Sequence, residues 1–345
     1  MSLRIFPTVA CFALLPSMCL AQNAPAPGPG IQQDMQAHAE ALLDKARQLS
    51  DIRSPSAPPF RLNATFSFIG ADLETIQGTY TEVWVSDSQW RRETVVKDSQ
   101  RVEVGGATRM WQLDNTEDFP EQAAQLPILI NIFPSKSTKF LFESIADHPE
   151  MDPLAECAMT RPDSRHLKSA FCYDKKSGAL LEKIFPEVRS RNTVANSCDY
   201  GSFRKFGDFW FPREMACFED RHSKLNAKVI DLSLDSSPDP ALFTPPPGAT
   251  ELGRCPVKLE PPRATDSPGP QWPVGSRDQS SQVMLSLIVD SKGRPQNVKV
   301  VNSGGVRIDQ AAVSTVHKWR FRPATCNGEP MPARINVQVD FRLYQ

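Results

Sequence analysis

The chain has 345 residues, and its 39 basic side chains nearly balance its 40 acidic ones. That balance gives no strong field to hold nucleic acid or an anionic membrane surface, so neither is an expected partner. At about 150 residues per domain, the length predicts two domains, each large enough to bury its own core.

The first 21 residues have the three-part pattern of a secretory signal peptide. Four residues with one positive charge precede a mostly apolar run, and the segment ends in a small residue, Ala21. Cleavage after Ala21 predicts an exported, periplasmic protein. Retention as an inner-membrane anchor is the alternative, although the apolar run is shorter than the ~20 residues of a spanning helix and contains Pro7 and Pro16.

Six cysteines follow that segment, and an even number in an exported chain predicts disulfides. They allow 15 pairings, and closeness in sequence favours Cys157–Cys172, Cys198–Cys217 and Cys255–Cys326. Six free buried thiols are the alternative. The sequence predicts no metal site and no cofactor, because it has no Cys-x-x-Cys spacing and its histidines are scattered.

After the signal, residues 22–58 are predicted to be a flexible leader and a helix, and residues 59–250 an antiparallel β domain. Phe60 to Phe68 alternates apolar with polar residues, which indicates a strand with one buried face. Further strands follow as consecutive meanders, which favours a curved antiparallel sheet. Helices are expected midway, over 121–133 and 136–146.

Residues 251–271 are rich in Pro, Gly and Arg and are predicted to be a linker. Residues 272–345 are predicted to be a second domain with the order strand, strand, helix, strand. The turn over 290–294 joins the first two strands. The last strand alternates apolar with polar residues from Ile335 to Leu343. The predicted fold class is therefore α+β, with a ββαβ domain at the end.

Several motifs in this second domain occur in the order found in the C-terminal domain of the TonB family, which residues 272–343 closely resemble. They are Trp272-Pro273, the hairpin Val289 to Arg294, Val301 to Gly304, the helix start Ile308 to Ala312, and Trp319-Arg320-Phe321-Arg322-Pro323-Ala324 followed by Gly328 and Pro330. Each of these residues also has a purely structural explanation as core or turn. The motifs therefore predict the fold, and only the resemblance implies a function.

The resemblance implies binding of an outer-membrane receptor, or another envelope protein, by addition of an extended segment to an open sheet edge. On the last strand, the expected partner-binding side chains are Arg334, Asn336, Gln338, Asp340 and Arg342, which are otherwise ordinary solvated positions. Full TonB transducers keep an N-terminal membrane helix. A cleaved signal would remove it here, and only the uncleaved alternative makes this chain an energy transducer.

The N-terminal half resembles, more weakly, the LolA/LolB-like fold of periplasmic lipoprotein carriers. The resemblance rests on Ala64 to Phe66, Gly78 to Trp84, Trp90 to Glu93, the hairpin Tyr173 to Leu181, and Leu242 to Ala249. It implies an apolar cavity for a lipid or acyl chain, lined by Phe60, Phe66, Phe68, Trp84 and Phe140. The alternative is that these side chains fill a dry core, since pattern does not separate the two.

No catalytic constellation stands out in the sequence. The five histidines lack a triad context, and no nucleophile elbow, phosphate loop or dinucleotide fingerprint occurs. We therefore expect a binding protein rather than an enzyme. The sequence does not specify the receptor, the ligand or the oligomeric state.

Overall fold

The computed structural model describes residues 29–70, 72–116, 119–134, 138–147, 154–160, 169–189, 192–219, 222–255, 259–273 and 281–341. The predicted signal peptide and Arg342 lie outside these ranges. Within them, no helix has the length and apolar character needed to cross a membrane.

The described chain is mostly β-structure, with four α-helices. The helices are α1 (Pro29–Ser50), α2 (Glu121–Ala124), α3 (Leu126–Ile130) and α4 (Val306–Val316). The strands are β1 (Phe60–Ile69), β2 (Thr75–Ser86), β3 (Gln89–Val96), β4 (Ser99–Gly105), β5 (Arg109–Asp114), β6 (Phe142–Asp147), β7 (Ala155–Thr160), β8 (Ala170–Asp174), β9 (Leu180–Arg189), β10 (Asn192–Gly201), β11 (Arg204–Phe206), β12 (Phe209–Phe211), β13 (Glu214–Glu219), β14 (His222–Leu234), β15 (Thr250–Gly253), β16 (Leu259–Glu260), β17 (Arg263–Asp266), β18 (Ser281–Val289), β19 (Pro295–Asn302), β20 (Arg320–Arg322), β21 (Ala324–Cys326), β22 (Glu329–Met331) and β23 (Ala333–Phe341).

Thirteen strands form one antiparallel sheet, the large sheet, in the order β15-β5-β4-β3-β2-β1-β14-β13-β10-β9-β8-β7-β6. Most neighbours are consecutive hairpin strands, and β1 closes against β14. The period-two pattern of β1 buries alternate residues from Phe60 to Phe68. Gly78 lies opposite Phe66, and a Cβ at Gly78 would come within 2.4 Å of the Phe66 ring. Glycine at this position lets the ring lie flat against β2.

Helices α1, α2 and α3 cover the buried face of the large sheet. Helix α1 packs on β6, β8 and β12 through a stripe that includes Ala39, Leu43 and Ala46, and these steps of four and three place the residues on one helical face. Helix α3 packs on β13 and β14, and α2 packs on β3. One hydrophobic core lies between the helices and the sheet.

The helix expected over 136–146 is wrong, because Phe142–Asp147 forms β6, the edge strand of the large sheet. Local periodicity is overridden there by pairing with β7, a strand that the sequence did not predict. Side chains of α1 also bind the backbone at this edge. Gln32 donates to the Phe142 carbonyl at 2.8 Å, and the Phe142 N–H donates to Gln36 at 2.8 Å.

Much of the segment predicted as a linker pairs with other strands. β15 belongs to the large sheet, β16 pairs with β21, and β17 pairs with β20. The chain after β15 therefore runs along the C-terminal part of the protein instead of hanging free.

The C-terminal part is built on a three-stranded sheet, the C-terminal sheet, in the order β19-β18-β23. Helix α4 packs on β18 and β19, and a second hydrophobic core includes Leu285, Val316 and Phe341. The three short strands β20 to β22 lie between α4 and β23 in the chain. The C-terminal part therefore has three strands more than the predicted order of strand, strand, helix, strand.

Three disulfides join the cysteine pairs that closeness in sequence favoured. Cys157–Cys172 and Cys198–Cys217 link neighbouring strands of the large sheet. Cys255–Cys326 spans 71 residues and joins the end of β15 to β21. This third bridge ties the two parts of the chain together.

Candidate binding surfaces

The outer edge of β23 is the first candidate surface. β23 pairs with β18 in an unbroken register from Ser281↔Phe341 to Val289↔Ala333. In the described part of the chain, no strand pairs with the opposite side of β23. An antiparallel strand directs alternate N–H and C=O groups to each side, so β23 has backbone donors and acceptors on a side where no described strand pairs with it.

The predicted partner-binding residues alternate with the core positions of this strand. Val339 and Phe341 are buried beside α4, whereas Arg334, Asn336 and Gln338 are exposed and Asp340 is half-buried. Gln338 donates to the Asp340 carboxylate at 2.6 Å. Four of the five predicted side chains therefore share one face, and Arg342 lies beyond the described residues.

The open edge stops where β23 meets the large sheet. The Gly253 N–H donates to the Pro332 carbonyl at 2.7 Å, and Arg334 Nη2 lies 3.5 Å from Gln112 Oε1. Although Arg334 as a whole is exposed, partial desolvation of its guanidinium group, together with the nearby charge of Arg101, lowers the pKa of Arg334. Arg334 thus contacts the protein's own large sheet.

The other edge of the C-terminal sheet is less regular. The pairing of β18 with β19 shifts register twice, between Met284 and Leu285 and between Ser286 and Ile288. Bulges of this kind discourage further strand pairing. Of the two edges, β23 is therefore the better template for an added strand.

The residues predicted to line an apolar cavity lie in the main core. Phe60, Phe66, Phe68 and Trp84 are at most 3% exposed, and Phe140 is partly buried. The rings contact one another. The centroids of Phe60 and Trp84 are 5.5 Å apart, those of Phe66 and Phe68 are 6.3 Å apart, and Phe140 lies against Phe142 and Phe171.

A groove of about 920 Å³ crosses the large sheet at Thr65, Ser67, Asp199 and Lys228. Thr65 and Ser67 alternate along β1 with buried Phe66, so they line the solvent face of the sheet rather than the core face. Burial raises the pKa of Asp199. The groove is thus separate from the predicted phenylalanine cavity.

A buried charge cluster, which the sequence analysis missed, crosses the core face of the large sheet. Glu82 is fully buried and binds Arg53 and Arg92, and the Tyr80 hydroxyl donates to it at 3.1 Å. Burial by itself raises the pKa of Glu82, but the two guanidinium groups outweigh it and hold the pKa at about 2. Each member has partners, which is the arrangement of a structural cluster.

Lys183 is a second charged group on the core face that the sequence analysis missed. Its Nζ lies 5.6 Å from the centre of the Phe185 ring and 6.0 Å from that of Tyr200. Burial lowers its pKa to about 8. A lysine in the core-facing register of the predicted strand Leu180 to Phe185 was the available signal.

Residues 275–343 match the family described as Gram-negative bacterial TonB protein C-terminal. The protein TonB of Xanthomonas campestris pv. campestris is 38% identical over 63 residues, which are 18% of this chain and 28% of that protein. The protein tonB2 of Pseudomonas aeruginosa is 32% identical over 80 residues, 22% of this chain and 30% of that protein. Residues 275–343 are thus similar to the TonB C-terminal domain, and the chain spans about three tenths of the length of these relatives.

The N-terminal part has a remote structural counterpart. It is similar to the crystal structure of the LolA superfamily protein NE2245 from Nitrosomonas europaea. The match covers 60% of this chain and 97% of that chain, with 13% sequence identity and a TM-score of 0.41. A likeness of this size does not extend to ligand or role.

Proposed function

We propose that this protein is a periplasmic binding protein whose C-terminal sheet captures an envelope partner by strand addition at β23. The partner class is an outer-membrane receptor of the TonB-dependent kind, or another envelope protein with a short extended segment. The protein acts through binding and has no catalytic role.

The edge of β23 with which no described strand pairs is the observation that carries this proposal. Its register against β18 is unbroken over nine residue pairs, so an incoming strand meets evenly spaced backbone groups without a bulge. Backbone hydrogen bonds supply affinity in this mode, and alternate side chains supply selectivity. Asn336, Gln338 and Asp340 are the side chains in position to select the partner.

The match to the TonB C-terminal domain supports the same mode of binding. It covers the C-terminal sheet and α4 but none of the large sheet. The N-terminal part therefore needs a role of its own. Our second candidate is that it binds a lipid or acyl chain, which is favoured by Lys183 on the core face, since no described carboxylate forms an ion pair with it.

Photo-crosslinking in cells tests the strand-addition proposal directly. A photoreactive amino acid is placed at Asn336 or Gln338 on β23, or at Gln296 on the bulged edge strand β19 as the matched control. All three positions are exposed in the described structure. Crosslinked products are then identified by mass spectrometry.

We expect β23 positions to crosslink to an outer-membrane receptor or another envelope protein, and Gln296 to give no such product. Equal crosslinking from both edges would contradict the choice of β23. An absence of envelope products from β23, with the protein exported and folded, would contradict the proposal itself.

A further inference from the structure

Two arginines line a pocket of about 410 Å³ beside β14 of the large sheet. They are Arg204 of β11 and Arg213, the residue directly before β13. Neither side chain has an ion-pair or hydrogen-bond partner in the described part of the chain. An arginine is always charged and carries five N–H donors in a planar fork. The pair therefore presents positive charge and donors to whatever enters the pocket.

Arg213 is held in an unfavourable setting. It is only partly exposed, and its Nε atom is buried without a hydrogen-bond acceptor among the described residues. Buried donors normally have one. Burial and the like charge of Arg204 both lower the pKa of Arg213, so the two guanidinium groups lie close enough to repel each other. Holding like charges together costs free energy, which an anion between them would offset.

The acidic side chains of the pocket do not neutralise this pair. The Glu214 carboxylate lies 3.3 Å from Lys228 Nζ and accepts a hydrogen bond from Ser202 at 2.7 Å. Asp231 accepts from Ser233 at 2.9 Å, and it forms no ion pair with either arginine in the described structure. The charges of Glu214 and Lys228 cancel, so two arginines against one aspartate leave the pocket net positive.

The pocket adjoins the groove of about 920 Å³ on the solvent face of the large sheet, since Glu214 and Lys228 line both. The groove crosses five neighbouring strands, from β2 to β10, which is about 19 Å at a strand spacing of about 4.8 Å. Most of its polar side chains are uncharged hydroxyl and amide groups, namely Thr65, Ser67, Gln77, Thr79 and Asn226. Such groups both donate and accept hydrogen bonds, which suits a ligand rich in hydroxyl groups.

We propose that Arg204 and Arg213 bind the phosphate group of a phosphorylated saccharide whose sugar lies in the groove. Guanidinium forks match phosphate oxygens in pairs, and a doubly charged phosphate matches two arginines. The hydroxyl and amide side chains of the groove bind the sugar hydroxyl groups, and the Asp199 carboxylate accepts hydrogen bonds from them. This site is on the solvent face of the sheet, so the inference goes beyond both strand addition and the second candidate function.

Isothermal titration calorimetry of the full chain with three probes separates the two parts of the site. Glucose 6-phosphate carries phosphate and sugar, inorganic phosphate carries only the anion, and glucose carries only the sugar. We expect glucose 6-phosphate to bind about threefold more tightly than inorganic phosphate and at least about tenfold more tightly than glucose, because only this probe uses both parts.

Four variants assign the affinity to residues. Arg204→Gln and Arg213→Gln should each weaken the binding of both phosphate probes about tenfold or more. Lys205→Gln is the matched control, because Lys205 is exposed on the same strand as Arg204 but does not line the pocket, and it should leave the affinities unchanged. Thr65→Val should weaken glucose 6-phosphate and leave inorganic phosphate unchanged. Circular dichroism checks folding, and the exposed Arg204 keeps the test valid if Arg213→Gln does not fold.

An absence of glucose 6-phosphate binding by the folded wild-type protein would overturn the inference. An equal loss in Lys205→Gln and Arg204→Gln would overturn it as well, because the binding would then be non-specific attraction to surface charge. Sedimentation with phosphatidylcholine vesicles that contain phosphatidylinositol 4-phosphate, if glucose 6-phosphate competes, assigns the saccharide to a lipid head group, and its absence assigns a soluble ligand. Crosslinking from β23 should be unchanged in Arg204→Gln, which separates this test from that of strand addition.

Discussion

The backbone N–H of Gly253 donates to the carbonyl of Pro332 at 2.7 Å, which joins the last strand of the large sheet to the residue before β23. Asn297 extends the contact by donating to the Thr250 hydroxyl at 3.1 Å. The edge of β23 is therefore held against the large sheet at the Arg334 end. A strand added to β23 is expected to end at Arg334.

Replacing Gly253 should uncouple the two parts of the protein. A Cβ at this position would lie 2.6 Å from Met331 Sδ and 2.7 Å from the Pro332 carbonyl oxygen, and the backbone atom cannot easily move away. We expect Gly253→Val to cost about 2 kcal/mol or more and to split thermal unfolding into two transitions by calorimetry. Gly201→Val is the control, because no atom lies within 4 Å of its Cβ. A single transition unchanged in Gly253→Val would show that this contact does not couple the two parts.

The Cys255–Cys326 disulfide should contribute more to stability than Cys157–Cys172, because it closes a longer loop of the chain. It closes a loop of 71 residues, whereas Cys157–Cys172 closes one of 15. On the chain-entropy account these loops correspond to about 4 and about 3 kcal/mol. Urea unfolding of the two paired Cys→Ala variants measures the difference. The first pair should destabilise the C-terminal part most, and the prediction fails if it affects only the large sheet.

Glu82 should make stability depend on pH in the acid range. Its ordinary pKa is 4.5 and its folded pKa is about 2. A carboxyl group whose pKa is depressed by folding stabilises the protein above the unfolded pKa, and this contribution is lost as the pH falls through the folded pKa. The loss should amount to about 3 kcal/mol between pH 4.5 and pH 2.

The Glu82→Gln variant tests this assignment. It leaves Arg53 and Arg92 buried beside an uncharged side chain, so we expect a loss of about 3 kcal/mol or more at neutral pH. Its stability should also fall less steeply than that of the wild type below pH 4.5. Parallel pH profiles in guanidinium unfolding would assign the acid sensitivity to another group.

Two glycines with positive φ give a matched test of the C-terminal part. Gly293 and Gly328 have φ of +76° and +87°, but a Cβ at Gly293 would lie 1.9 Å from the Phe321 carbonyl oxygen, while nothing lies within 4 Å at Gly328. Gly328→Ala should cost only the left-handed strain of about 1 kcal/mol. Gly293→Ala should cost clearly more and loosen the bond from the Phe321 N–H to the Gly293 carbonyl, at 3.0 Å. Equal losses in thermal unfolding would contradict this difference.

The strands that could be predicted from the sequence were those with one face in solvent. In β1 and β23, polar residues alternate with apolar ones, and the buried positions, such as Phe66 and Val339, fall where the alternation predicts them. Strand β6 lacks that alternation. Its pairing is set by β7 and by the glutamines of α1, and these distant contacts are invisible to local periodicity.

The charged groups of the core were the other part that the sequence did not reveal. Glu82, Arg92 and Lys183 look like ordinary solvated positions in short polar stretches. Only the cross-strand registers show that Glu82 lies opposite Arg92, and that Lys183 lies between Phe171 and Cys198. Such relationships depend on the exact pairing register and on which face of each strand packs against the helices, so they required the fold.

Amide hydrogen exchange along β23 of the full chain tests the central claim most directly. The free protein should show alternating behaviour over 334–341, with amides bonded to β18 protected and amides facing the open edge exchanging fast. Synthetic peptides from the periplasmic N-terminal segments of TonB-dependent receptors should then protect the fast set and leave β19 unchanged. Protection of every β23 amide in the free protein would mean that the edge is already occupied, and strand addition there would be contradicted.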